Sequence, residues 1–284
     1  MTDSHLHPSD TCQQRIGVCS WSLQASSPVE LVERVRACGL SHVQLALDPI
    51  RTGAWNFSET ADALERANIR ILSGMMGFKG EDYSTLDSIL ATGGVRLDAD
   101  WDENLRAAHE NAQIAKQFGL SLITFHAGFL PHDQHDAVRT TMLDRLRRIV
   151  DVFAQQHIRV AFETGQESAA TLLDVLAEHG FEHVGVNFDP ANMILYGMGD
   201  PVAALHRLRD RVAQIHIKDA TAATTSGTWG TEVPVGAGDV DWQGVLNLAS
   251  SLHADLVIER EAGSQRIEDI CTAKSLLDTC LHTD

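Results

Sequence analysis

Short apolar runs alternate with longer amphipathic stretches along almost the whole chain. The short runs are Ile16–Ser20, His42–Leu47, Ile69–Ser73, Leu122–His126, Arg159–Glu163, Val184–Asp189, Val212–Lys218 and Asp255–Glu259. Most are rich in Val and Ile and have the length of buried strands. Between them the apolar positions repeat with helical period over Pro28–Cys38, Asp102–Phe118, Asp136–Gln156, Ala169–Glu178, Pro201–Leu208, Trp242–Leu252 and Ile267–Leu281. In the first of these Val29, Leu31, Val32 and Val35 fall on one side, with Ser27 placed as an N-cap. Gly39, Gly119 and Gly180 follow helical stretches where a C-terminal cap is expected.

Eight strands alternating with helices predict an α/β fold, a (β/α)8 TIM barrel. The main competitor, an open doubly wound sheet, would carry a Gly-rich phosphate turn after its first strand. That strand instead ends Cys19-Ser20-Trp21, with no G-x-G-x-x-G. Two connections are long: Gly74–Trp101, dotted with glycines, and Asp219–Val240, rich in Thr, Ala and Gly. Both leave the carboxyl ends of strands, where barrels build their sites. By length alone, 284 residues make one large domain or two small ones. No linker-like break appears, so the expected organisation is a polar tail over 1–15 and a single barrel over 16–284.

Composition removes several classes of function. The formal charge is −17, from 22 basic and 39 acidic residues, and the lysines are only Lys79, Lys116, Lys218 and Lys274. Such a balance argues against binding nucleic acid, which needs cations on phosphate. No apolar run approaches the roughly 20 residues of a membrane span. The stretch Met1 to Arg15 has no apolar signal core, and five cysteines without C-x-x-C spacing fit a reducing compartment, so a cytoplasmic protein is expected.

Polar groups collect at the ends of the predicted strands. Strand four closes on His126, strand five on Glu163, strand six on Asp189 and strand eight on Glu259, while strand seven carries His216 and Lys218. A buried carboxylate is costly unless paired or metal-bound. Glu163, Asp189, His216 and Glu259 fall on four successive strands, and three carboxylates with one imidazole suit one divalent ion: Mn²⁺ first, with Mg²⁺, Co²⁺ or Zn²⁺ as alternatives. Each residue also has a plainer reading. Asp189-Pro190 is a common turn, His216 suits a satisfied core position, Glu163 suits a helix entry, and Glu259 has Arg260 beside it, although adjacent strand residues point to opposite faces.

At these residues the chain resembles the xylose isomerase-like TIM-barrel superfamily, and within it the sugar (phosphate) isomerase/epimerase group that includes D-tagatose 3-epimerase. The resemblance runs from Ile16 to about Leu281. It is carried by Phe162-Glu163-Thr164, Asn187-Phe188-Asp189-Pro190-Ala191-Asn192, His216-Ile217-Lys218-Asp219-Ala220, Gly236-Ala237-Gly238-Asp239-Val240-Asp241 and Ile258-Glu259. It implies one metal ion on Glu163, Asp189, His216 and Glu259. Two positions depart from the epimerases: Asn192 stands where they commonly have a substrate-contacting His, and Thr221–Thr225 lacks their Arg. The Lys218-Asp219 pair is similar instead to inosose dehydratase. The endonuclease IV enzymes of the same superfamily need further His ligands, which Asn192 and the third strand do not supply.

The expected chemistry is proton abstraction next to the carbonyl of a keto sugar or related polyol, through an enediolate, with Glu163 and Glu259 as the two catalytic carboxylates. Return of the proton gives an epimerase or isomerase; loss of a β-hydroxyl gives a dehydratase or lyase. His126, Asn192, Lys218, Trp21 and Arg260 are expected on the substrate, with Trp21, Met75, Met76 and Phe78 as an apolar wall or lid. A non-catalytic sugar-binding barrel is the rival reading, and it leaves the paired glutamates unexplained. The expected partner is a small carbohydrate, with no nucleic acid and no membrane; the resemblance adds a homo-oligomer.

Overall fold

Burial along each strand is nearly continuous, as a sheet covered on both faces requires. In the computed structural model, which describes residues 14–225 and 227–281, eight parallel strands close into a barrel. Most of the expected 1–15 tail, including Cys12, lies outside the described residues. In chain order the elements are β1 (Ile16–Cys19), a 3₁₀ turn (Ser20–Leu23), α1 (Pro28–Ala37), β2 (His42–Ala46), α2 (Asp48–Arg51), α3 (Phe57–Arg66), β3 (Arg70–Met75), α4 (Leu86–Thr92), α5 (Trp101–Gln117), β4 (Leu122–Phe125) and α6 (Ala137–Ala154). They continue with β5 (Arg159–Glu163), α7 (Ala169–Leu176), β6 (Gly185–Phe188), α8 (Pro190–Tyr196), α9 (Pro201–Leu208), β7 (Val212–Ile217), the hairpin strands β8 (Asp219–Thr221) and β9 (Thr231–Val233), α10 (Trp242–Ala249), β10 (Asp255–Ile258) and α11 (Arg266–Leu281). Each barrel strand pairs with its sequential neighbours, and β1 closes onto β10 through Ile16 to Leu256 and Val18 to Ile258.

The expected elements are present, and the connections add helices α2, α3, α4 and α8 and the β8–β9 hairpin. Helix α3 fills the gap between the second and third strands, where no helix is expected from the sequence. It is amphipathic but short: Thr60 and Leu64 are buried, and Phe57 packs on Phe118 with ring centroids 4.4 Å apart. Its local signature is the cap: Asn56 accepts the Glu59 backbone N–H. Helix α8 begins at the Asp189-Pro190 pair, so that dipeptide opens a helix and does not form an isolated turn. The β8–β9 hairpin lies in the long connection after β7.

The main core lies between barrel and helices, with Phe125, Phe153, Phe162, Phe181 and Phe188 all fully buried. The barrel interior is different. A small apolar floor of Cys19, Leu72 and Val257 lies beneath Trp21, and around it stand buried Gln44, Ser73, Thr124, Asn187, Gln214 and His216. These polar groups bond to one another. Ser73 donates to Gln214 (2.6 Å), Gln214 to Asn187 (3.0 Å) and Gln44 to Thr124 (2.7 Å). Buried amides left unpaired would each cost about 1–3 kcal/mol, so the interior holds together as a network.

The β7 connection is organised by one carboxylate. Asp219 is buried and accepts five N–H groups: Ala220 and Val240 on Oδ1 (2.8 and 3.2 Å), Gly236, Gly238 and the Trp242 indole on Oδ2 (2.8, 3.2 and 2.9 Å). A Cβ on Gly238 would stand 2.1 Å from Asp219 Oδ1, so only glycine lets the backbone come this close. Asp219→Ala would strip the acceptor from all five donors. We expect a loss of about 3–5 kcal/mol in urea unfolding, with Asp219→Asn losing roughly half as much.

Candidate metal centre and substrate chamber

Alternation along a strand puts every second residue inside the barrel. On β7 and just beyond, Gln214, His216 and Lys218 share the inner face; Glu163, Asp189 and Glu259 stand at or just past the ends of β5, β6 and β10. Donor atoms of Glu163, Asp189, His216 and Glu259 lie within 4.8 Å of one another, and all four residues are buried. His216 Nδ1 is 3.5 Å from Glu163 Oε1, 3.6 Å from Asp189 Oδ2 and 3.3 Å from Glu259 Oε2.

These residues fit a divalent ion on two grounds. First, His216 Nδ1 and Asp189 Oδ2 are buried atoms with no hydrogen-bond partner, facing the same point. Second, donors about 2.0–2.2 Å from one ion stand roughly 3 Å apart when adjacent, close to the spacing seen here. The other atoms of each ligand are held. Asp189 Oδ1 caps α8 by accepting the Asn192 N–H (2.9 Å), which aims Oδ2 at the centre. Gly165, at φ +126°, carries the β5 loop past this first turn, where a Cβ would meet Asn192 at 2.3 Å. His216 Nε2 lies 2.8 Å from Gln44 Oε1, and Gln44 is oriented by Thr124. Asn187 Nδ2 stands 3.1 Å from the same Nε2; with Nε2 engaged by these amides, Nδ1 is the ring nitrogen without a partner. Cys19 Sγ lies 3.8 Å from the same Nε2; burial pushes its thiol far up, so it stays protonated.

Charge balance shows in the titration of the cluster. Burial pushes Asp189 up to about 6, only partly opposed by Lys218. For Glu259 burial acts the same way, but Lys218 and His216 outweigh it and hold the carboxyl well below its usual range. Glu163 is likewise lowered, by His126 and His216 against burial. Burial opposes the charge on Lys218, yet Glu259, Glu261 and Asp189 raise it well above its ordinary value.

Above the cluster opens a chamber of about 570 Å³, lined by Trp21, Met75, Met76, His126, Asn192 and Lys218, with Glu259 at its floor. Trp21 Nε1 donates to Glu259 Oε1 (2.8 Å) and Lys218 Nζ to Glu259 Oε2 (3.0 Å). Asn192 bridges the two sides, donating to Glu163 Oε1 (3.0 Å) and accepting from Lys218 (3.3 Å). Glu163, Asp189 and His216 lie beneath the lining. Glu163 Oε2 accepts from Asn187 (3.0 Å), and His126 Nε2 stands over Oε1 at 3.3 Å.

Two expected residues stand elsewhere. Arg260 follows Glu259 and leaves the strand on the opposite face; it is buried between Glu232 (2.7 Å) and Asp269 (2.8 Å) and does not line the chamber. Phe78 packs edge-on against Phe125 and belongs to the core. The chamber also uses residues the strand ends did not indicate: Asp48, Glu81, Tyr83, Tyr196, Trp229, Glu232 and Glu261, all from connections. Aromatic residues in the two long top-face connections were the available signal for Tyr83 and Trp229. Among the described residues no helix is long and apolar enough to cross a membrane.

The profile of the xylose isomerase-like TIM barrel family matches residues 32–262. The chain belongs to that family. A xylose isomerase domain protein from Planctomyces limnophilus shares 29% identity, over 88% of this chain and 91% of its own, with a TM-score of 0.82. The D-allulose 3-epimerase of Methylomonas sp., solved with D-allulose, shares the fold at 14% identity, 94% and 96% coverage and a TM-score of 0.69. Inosose dehydratase of Geobacillus kaustophilus is 25% identical over 123 residues, 43% of this chain and 28% of that relative. Proteins similar to this chain thus include an epimerase, by fold, and a dehydratase, by sequence over part of its length.

Two predictions follow from this geometry. Calorimetric titration with Mn²⁺ should give one ion per chain, abolished by Asp189→Ala. Gln44→Leu, which removes one amide partner of His216 Nε2, should weaken binding about 10–100-fold. The second concerns Glu167, buried in the β5 connection with Oε1 unpartnered and pushed by burial from 4.5 to about 8. Between those pH values the folded chain holds a proton the unfolded chain has lost, so stability falls as pH rises, by up to about 1.4 kcal/mol per unit. Glu167→Gln should remove this slope and be more stable than wild type at pH 8 in urea unfolding.

Proposed function

We propose that this protein is a metal-dependent sugar isomerase or epimerase, acting on a keto sugar or related polyol by proton abstraction next to a carbonyl. The observation that carries the reading is the convergence of Glu163, Asp189, His216 and Glu259 on one point, with two orphaned donor atoms, at the floor of a chamber with room for a sugar. These four residues would hold the ion, Mn²⁺ being the first choice, and when bound it would supply Lewis-acid stabilisation of negative charge on substrate oxygen.

The chain's own groups account for the proton transfers. Glu259 faces the chamber, and its carboxylate takes the proton from the carbon next to the carbonyl, leaving an enediolate. Trp21 and Lys218 fix the orientation of that carboxylate. On the other side His126 faces the chamber against Glu163, so the pair returns a proton to the opposite face. Return to the same carbon epimerises it; return to the former carbonyl carbon exchanges ketose for aldose. Met75, Met76 and Trp21 exclude water from the enediolate.

A second reading is favoured by Lys218, which stands in the chamber beside Asn192 at a position where it can protonate a departing β-hydroxyl. In that reaction Glu259 removes the C–H proton, the C–O bond breaks, and water leaves with the lysine's proton. The similarity to inosose dehydratase points the same way.

The test is incubation of the Mn²⁺-loaded protein with ketoses and inososes in D₂O. Wild type should place deuterium on the carbon next to the carbonyl. Glu163→Gln and Glu259→Gln should each slow exchange about 10²–10⁴-fold. Full exchange in both variants would sink the two-carboxylate mechanism, and a product absorbing as an unsaturated ketone would favour the dehydratase.

A further inference from the structure

The chamber is lopsided. It has a volume of about 570 Å³, and the proposed metal ligands with His126 and Lys218 stand toward one end. The far end is aromatic. Asp189 caps α8 and Tyr196 ends it seven residues later, so Tyr196 stands about 10 Å along the helix axis from the ligand cluster. Its ring sits between Phe129 and Trp229, with centroids 5.4 and 5.3 Å away. Tyr196 and Trp229 are only half-buried and both line the chamber. Trp229 comes from the β7 connection, which is tied to α8 where Gly230 N–H donates to Leu195 O (3.1 Å). Tyr83 reaches the same rim from the β3 connection.

The charge of the lining narrows the ligand further. Five carboxylates, Asp48, Glu81, Glu232, Glu259 and Glu261, line the chamber against one ammonium, Lys218. That ammonium is already shared between Glu259 (3.0 Å) and Glu261 (2.6 Å). Asp48 and Glu232 are paired with Arg51 and Arg260 (2.7 Å each), so among the described residues the lining keeps no unshared Lys or Arg to receive a phosphate or carboxylate. Aromatic faces, by contrast, accept the C–H face of a sugar or the edge of an aryl ring.

We propose that Tyr196 and Trp229 form a distal subsite for a second, uncharged ring joined to the reacting sugar, so that the preferred substrates are glycosides and not free or phosphorylated monosaccharides. The inference rests on the reading above only for the identity of the reacting end. It is tested by binding without turnover. The Mn²⁺-loaded protein is titrated with methyl β-D-glucopyranoside, phenyl β-D-glucopyranoside, cellobiose and glucose 6-phosphate.

At least one two-ring probe should bind tenfold or more tightly than the methyl glucoside. Preference for phenyl glucoside would mark the second ring as aryl, and preference for cellobiose as glycosyl. Glucose 6-phosphate should bind more weakly than the methyl glucoside. Trp229→Ala should lower affinity for the two-ring probe at least tenfold more than for the methyl glucoside, while Trp229→Phe keeps most of the preference. Two-ring probes that bind no tighter than the methyl glucoside, or no measurable binding of any probe, would overturn the subsite, as would equal losses on both classes in Trp229→Ala. Intact two-ring preference without proton exchange in any ketose would instead sink the enediolate reading and leave the subsite standing.

Discussion

Three carboxylates buried side by side are the constraint that shapes this molecule. At the separations of the cluster, each like-charged pair repels by about 4 kcal/mol at an effective dielectric constant of 20. Glu163, Asp189 and Glu259 persist together because nitrogen groups meet them from several sides: His216 below, Lys218 two residues further toward the chamber on the same face, and His126, just past β4, over Glu163. Asp189 is the group that yields, since its one cationic neighbour beyond His216 is Lys218 at 3.9 Å, shared with two glutamates. A cation placed among them would relieve that residual strain, so the drive to bind one is already built into the folded chain.

The support beneath the cluster is polar where a barrel interior is often packed with branched aliphatic side chains. Gln44, Thr124, Ser73, Gln214 and Asn187 pass orientation from strand to strand until it reaches His216 Nε2 and Glu163 Oε2. An apolar layer would fill the same volume but leave both ligands free to rotate. Helix α8 does the equivalent work for Asp189, spending one oxygen on the cap and aiming the other.

The barrel was legible because its strands are buried on both faces and its major helices carry continuous apolar stripes. Helix α3 was not, although it is amphipathic, because it is short and only Thr60 and Leu64 are fully buried, with Phe57 packed at its start. The four-residue cluster could be read because an ionisable residue at the end of an apolar strand is conspicuous, and four in succession more so. Its supports were hidden: Gln44 and Asn187 look like ordinary strand residues until their partners are known. Arg260 illustrates the limit of reading by neighbourhood. It adjoins Glu259 in sequence, but the strand's alternation sends it outward, where it braces Glu232 and Asp269. The distal aromatic residues sit in connections, whose course depends on contacts from distant parts of the chain.

The position of Asp219 has a kinetic consequence. One residue beyond Lys218, it gathers both ends of the β7 connection onto a single pair of oxygens. A segment fastened at many independent points frays gradually, but one fastened at a hub lets go as a unit. Opening of that rim should therefore be an all-or-none event with its own local unfolding free energy, seen in hydrogen exchange as amides of Ala220, Gly236, Gly238 and Val240 that exchange together. The same connection is also held where Gly230 meets Leu195 and Glu232 meets Arg260, so weakening the hub would loosen one side of the rim and could tune the residence time of a bulky ligand without touching the chemistry below.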